Sequence, residues 1–157
     1  MNLLNFLRRP FASRAFSPVM KDDHAQHFRD LNDLLTALDS LKGNSDYNEG
    51  KHNQITIMLR QILNEIGEHF RREQELMECY GYPGKDAHLT EHSTITKSLE
   101  SHFGDGTSGP LVIDRKSVIR MKELMVFHIK TYDCKLIEFL STSRPIGKLG
   151  KIASSQK

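Results

Sequence analysis

The sequence predicts an all-α protein, an antiparallel up-down-up-down four-helix bundle over residues 20-142. Three observations predict it. Apolar residues recur at intervals of three and four along four separate stretches, and none shows the alternation of a half-buried strand. The stretches run for roughly 20 to 30 residues and are separated by Gly, Asn and Pro signals. The whole chain is 157 residues with 38% hydrophobic and 27% charged residues, enough for one core in an ordinary globular domain.

The first helix runs from about Met20 to Leu41, with Phe28, Leu31, Leu34, Leu35, Leu38 and Leu41 at helical spacing. Gly43 to Gly50, GNSDYNEG, makes a loop. The second helix covers about Lys51 to Cys79 and lines up Ile55, Met58, Leu59, Ile62, Ile66, His69, Phe70, Glu73 and Met77 on one broad face. Gly81-Tyr82-Pro83-Gly84 then reverses the chain, because proline is accepted at a helix start but not in its interior. A third helix follows Pro83 and ends near Phe103, where GDGTSGP begins. The fourth starts near Asp114, an N-cap residue type, and reaches about Leu140.

Charge is unevenly placed. The first 20 residues carry +3 and residues 141 to 157 carry +4 of a net +2, which leaves −5 for the body between them. An acidic body excludes a nucleic-acid module, whose binding face is clustered and basic. The two ends read as basic arms, 1-19 and 143-157, the first mixing Leu and Phe with Arg and suited to touching a membrane surface or a protein partner. Arg8 and Arg9 follow a short apolar run that Pro10 breaks, the reverse of a secretory signal. No apolar run approaches the ~20 residues of a membrane span. Two cysteines, Cys79 and Cys134, are too few for a disulfide scaffold, so the expected compartment is the cytoplasm.

Each helix places metal-ligand residue types on its apolar side. His24 precedes Phe28 by four and Leu31 by seven; His69 and Glu73 are four apart, as are His88 and His92; the last helix offers His128 and Asp133. Residues four apart on an α-helix point the same way. A lone His on such a face is more often a hydrogen-bonded core residue. Five His and two carboxylates converging from four helices reverse that reading, because so many buried polar groups need partners and a metal satisfies them together. Imidazole with carboxylate suits iron, zinc or copper. Seven ligands exceed a four-coordinate zinc site and suit two adjacent ions. The protease signature HExxH is absent. Neither cysteine falls on a ligand register, and His52 and His102 sit near helix ends, facing solvent.

These residues resemble the hemerythrin family, in its single-domain bacterial branch, over about Met20 to Leu140. The second helix carries that family's HFxxE with a following Met, as His69, Phe70, Glu73 and Met77. YP, four residues and HxxEH follow, as Tyr82, Pro83, His88, Glu91 and His92. The fourth helix carries HI with an Asp five after the His, as His128, Ile129 and Asp133, and the first a His with Asn eight later, as His24 and Asn32. His27 is the rival of His24 and lacks the Asn register. Lys21 stands where an acid is common, the usual Trp near the fourth-helix His is absent, and the loop before Lys51 is long.

The resemblance implies two oxo- or hydroxo-bridged iron ions, with His88, His92 and His128 on one, His24 and His69 on the other, and Glu73 and Asp133 bridging. Three His against two leaves the second iron one ligand short, and the resemblance implies dioxygen as its partner, carried, stored or sensed. Leu31, Ile66, Phe70 and Ile129 are candidates for an apolar lining. The competing reading is a di-iron oxidase or peroxidase; carriage is favoured by the expectation that no acid or base beyond the ligands stands near the two-His iron. One spacing is awkward, because five residues separate His128 from Asp133 by about 140° on a regular helix. A bridging Asp133 therefore predicts a local widening toward i to i+5 geometry, or an unusual Asp rotamer.

Overall fold

Helical spacing becomes helix throughout the computed structural model, which describes residues 12–41, 49–104 and 113–146; no strand occurs among them. The elements are α1 (Ala12–Leu41), α2 (Glu49–Tyr80), α3 (Lys85–Phe103), α4 (Arg115–His128), a π-helical turn (Ile129–Asp133) and α5 (Cys134–Thr142). The last three follow one another without a break and make one continuous rod. Most of both basic arms lies outside the described residues.

Helix α1 begins at Ala12, earlier than the start near residue 20 read from its apolar spacing, and Pro18 lies inside it. The stripe marks where the helix gains partners, and Met20 is its first described buried side chain. The other boundaries follow local chemistry. Gly81 takes φ +63 after α2, and the Tyr82 amide donates to Met77 O at 2.9 Å, closing the helix end. A side chain at Gly81 would be strained by that φ and would collide with Ile146, whose amide donates to Cys79 O at 2.9 Å. At the start of α4 the Asp114 carboxylate accepts from the amides of Lys116 at 2.8 Å and Ser117 at 3.1 Å, and from the Ser117 hydroxyl at 2.6 Å.

Helix α1 packs on α2, α4 and α5; α2 packs on α3, and α3 on α4. The helices therefore form a closed ring of contacts, a helical bundle around a shared interior. That interior has three layers. One apolar cluster joins Leu31, Leu34, Leu59, Ile66, Phe70, Ile95, Leu99, Met121 and Met125, among others. A second joins Met20, Leu76, Met77, Tyr80, Leu136 and Leu140. Between them along α1 and along the rod of α4 and α5 fall the buried His24, His27, His128 and Asp133, and α2 and α3 add the buried His69, Glu73, His88 and His92. No described helix is long and apolar enough to cross a membrane.

Candidate metal centre

All seven ligand candidates read from the sequence meet in this middle layer, and none is more than 7% exposed. Helix α1 supplies His24, α2 supplies His69 and Glu73, α3 supplies His88 and His92, α4 supplies His128, and the π turn supplies Asp133. They form two overlapping groups. Glu73, His88, His92 and His128 make one; His24, His69, Glu73 and Asp133 make the other, with the potential donor atoms of each lying within 4.8 Å of one another.

The two carboxylates divide their oxygens between the groups. Glu73 Oε2 lies 3.0 Å from His92 Nε2, 3.4 Å from His88 Nε2 and 3.7 Å from His128 Nε2, whereas Oε1 faces His69 Nε2 at 3.5 Å. Asp133 Oδ1 lies 2.8 Å from His128 Nε2 and 3.1 Å from His88 Nε2, whereas Oδ2 lies 3.0 Å from His24 Nε2 and 3.7 Å from His69 Nε2. Each carboxylate thus spans from a set of three imidazoles to a set of two.

The helix around Asp133 is widened as its spacing required. Ile129–Asp133 is π-helical, and the Cys134 amide donates to Ile129 O, five residues back. Buried positions run 121, 125 and 128 before the turn and 133, 136 and 140 after it, so one residue has been absorbed without loss of register. The wide turn keeps Asp133 on the face of His128 and keeps Leu136 and Leu140 in the core.

Burial and ion pairing oppose one another in this layer. Burial alone would raise the Glu73 carboxyl, but the charge of His69 and hydrogen bonds from His128, His88 and His92 hold it well below the usual carboxylate range. Burial acts likewise on Asp133 and is overcome by His128, His24, His69 and His88, which hold it far below its ordinary value. Against their own burial, His69 is raised to about 10, chiefly by the Glu73 charge, and His128 to about 9, by Asp133 and Glu73. Two protonated imidazoles thus offset two carboxylates.

Hydrogen bonding does not satisfy the layer. His24 Nε2, His69 Nε2, Glu73 Oε1 and both Asp133 oxygens are buried without a directed hydrogen-bond partner. His128 Nε2 faces two other ring nitrogens, His92 Nε2 at 3.2 Å and His88 Nε2 at 3.4 Å, and three imidazole nitrogens that converge this way suit, once deprotonated, a cation better than one another. Converging N and O donors with unmet capacity are what metal ions use, so the residues fit a bound metal.

Surrounding residues close the layer. The Phe70 ring stacks on His92 at 3.9 Å between centroids and meets His128 edge-on at 5.2 Å. Leu31 and Ile66 are buried beside it in sequence register, while Ile129 is half-buried. His52 and His102 are exposed, Cys79 is half-buried and Cys134 exposed, so none belongs to the layer's buried set. Asn32, the register mark for His24, is exposed and accepts from Lys122 Nζ at 2.8 Å, tying α1 to α4.

One expectation is overturned. The sequence suggested no acid or base beyond the ligands near His24 and His69, yet His27 and Asp23 stand there. His27 is 3% exposed, its ring 5.3 Å from that of His69, and burial with the neighbouring His69 charge lowers its pKa to about 4. Asp23 Oδ2 lies 3.6 Å from His69 Nδ1 and accepts from Arg72 Nη2 at 2.8 Å. Three-residue spacing from His24 to His27 signalled that both share a face. Asp23 had no such signal, because its partner Arg72 comes from another helix, 49 residues away.

No family model, curated protein or solved structure matches this chain.

Proposed function

We propose that this is a hemerythrin-like protein that binds dioxygen reversibly at a non-haem di-iron centre, for carriage, storage or sensing in the cytoplasm. The observation that carries the reading is the division of Glu73 and Asp133 oxygens between a three-imidazole set and a two-imidazole set. Two bridging carboxylates with five His suit a pair of ions of unequal saturation. The motif resemblance over Met20 to Leu140, and with it an up-down-up-down bundle, agrees with that division.

Bound in these two sets, ferrous iron would supply two electrons and a vacant position on the two-His side, the chemistry that reversible dioxygen binding needs. The chain's own residues supply the rest. His88, His92 and His128 fill one side from two helices. His24 and His69 hold the other, with Asp23 and Arg72 behind His69 fixing its ring. The apolar clusters on either side shut water out of the layer, which protects a reduced centre from proton-assisted loss of its electrons.

Loading the protein with ferrous iron without air and then admitting oxygen tests the reading. The expected result is two irons per chain and a visible charge-transfer band that appears with oxygen and disappears when oxygen is removed. One iron per chain, or an irreversible change, would overturn it.

His27 favours the second reading, a di-iron oxidase or peroxidase, because it places a base beside the two-His side. His27→Leu separates the two. For a carrier the oxygen-dependent band persists in the variant, whereas for an enzyme turnover is lost.

A further inference from the structure

Between α2 and α3, on the outer side of the Phe70 ring, lies a cavity of about 340 Å³. Its floor is Ile66, Phe70 and Leu99, all buried, with Leu63 half-buried beside them. Its rim is polar and exposed, formed by Arg60, Asn64, Thr96 and Glu100. Gly67 and Gly104 also line it, and a Cβ placed on either would meet nothing within 4 Å, so the mouth stands open where side chains would otherwise fill it.

Phe70 has both the cavity and the metal-ligand layer as neighbours, and its ring lies 6.2 Å from that of His69 in the two-imidazole set. One side lines the cavity; the ring stacks on His92 with an interplanar angle of 9° and meets His128 edge-on. The Phe70 ring therefore borders both the apolar floor and the ligand set. Water binds poorly on such a floor, since it needs two to four polar partners.

We propose that this cavity is a binding site for a small uncharged gas of the size of dioxygen, and that gas held there enters the metal layer past Phe70. The second half of the statement rests on the dioxygen reading above; the first does not. The floor of Ile66, Phe70 and Leu99 offers neither charge nor hydrogen bond, and the charged groups, Arg60 and Glu100, stand at the rim, so the floor itself takes an uncharged guest. Gly67 is the control point, because it is an exposed helical position at which a side chain would grow into the mouth without touching a metal ligand.

The test uses the full chain and Gly67→Leu, a change that helix propensity favours. Xenon is applied under pressure to the iron-free protein and located through methyl shifts of Leu63, Ile66 and Leu99. Xenon shifting these methyls in the parent, and no longer doing so in Gly67→Leu, is the expected result. Xenon that leaves them unmoved, or that reaches them equally in the variant, would overturn the site. In the iron-loaded protein, Gly67→Leu is expected to slow oxygen uptake and oxygen release several-fold together, leaving affinity and iron content unchanged. Unaltered rates would overturn the passage. A parent that loads iron but ignores oxygen counts against the proposed function alone, and the xenon arm still decides the site.

Discussion

Asp133 reaches toward four imidazoles and Glu73 toward four, and each does so with one oxygen on either side of the layer. An amide of the same shape keeps the volume and one acceptor but replaces the other oxygen with a donor that no metal accepts. Glu73→Gln and Asp133→Asn are therefore expected to fold and to hold fewer than two irons per chain, measured by elemental analysis of purified protein, while His102→Ala holds the parent amount. Behind the ligands, Asp23 is the residue whose effect is graded. It faces His69 Nδ1 at 3.6 Å, longer than a hydrogen bond, and orients the ring mainly through its charge. Asp23→Asn should weaken iron retention against a chelator by about tenfold, the low end for groups behind a ligand. No change in retention would make the Asp23–Arg72 pair a surface contact without influence on the site.

At the scale of elements, the helices were readable because burial and period coincide. Positions 55, 59, 62, 66, 69, 70, 73, 76 and 77 of α2 form one inward face, so a sequence that alternates nowhere could fold no other way. The Asp114 cap was equally legible, being a local interaction between residues two and three apart. Because Asp114 is exposed, its replacement by Ala should cost about 1 kcal/mol and lower the melting temperature by roughly 2–4 °C for a domain of this size, read by thermal denaturation of the metal-free chain. Even the π turn left a trace, a five-residue step between two residues that both had to face inward. The start of α1 at Ala12 was hidden, since its first turns precede the apolar stripe. So were the Asp23–Arg72 pair and the stacking of Phe70 on His92, which join residues 49 and 22 apart through packing rather than through any local rule.

For the molecule as a whole, the buried layer makes stability depend on what occupies it, and in opposite senses with and without metal. Without metal, His69 and His128 bind protons more tightly folded than unfolded, with pKa values near 10 and 9 against an ordinary 6.5. Stability from these two groups is therefore complete below pH 6.5 and is lost as pH rises through about 9 and 10. His27 works in the other direction. Its pKa is lowered to about 4, so protonating it below pH 6.5 costs stability, progressively down to pH 4. The metal-free protein should accordingly be most stable near pH 6.5 and weaken on either side. With metal bound, the same imidazoles must be deprotonated, and protons compete with the ion. A ligand that binds only the folded state stabilises it by RT ln(1 + [L]/Kd), about 2.7 kcal/mol at a hundredfold excess over Kd, and this term grows as the proton competitor is removed. Melting temperatures measured from pH 6 to 9 should therefore fall for the chelator-treated protein and hold or rise for the iron-loaded one. Parallel curves would mean that the metal does not displace protons from His69 and His128, and would take the ion out of the layer in which these imidazoles meet Glu73 and Asp133.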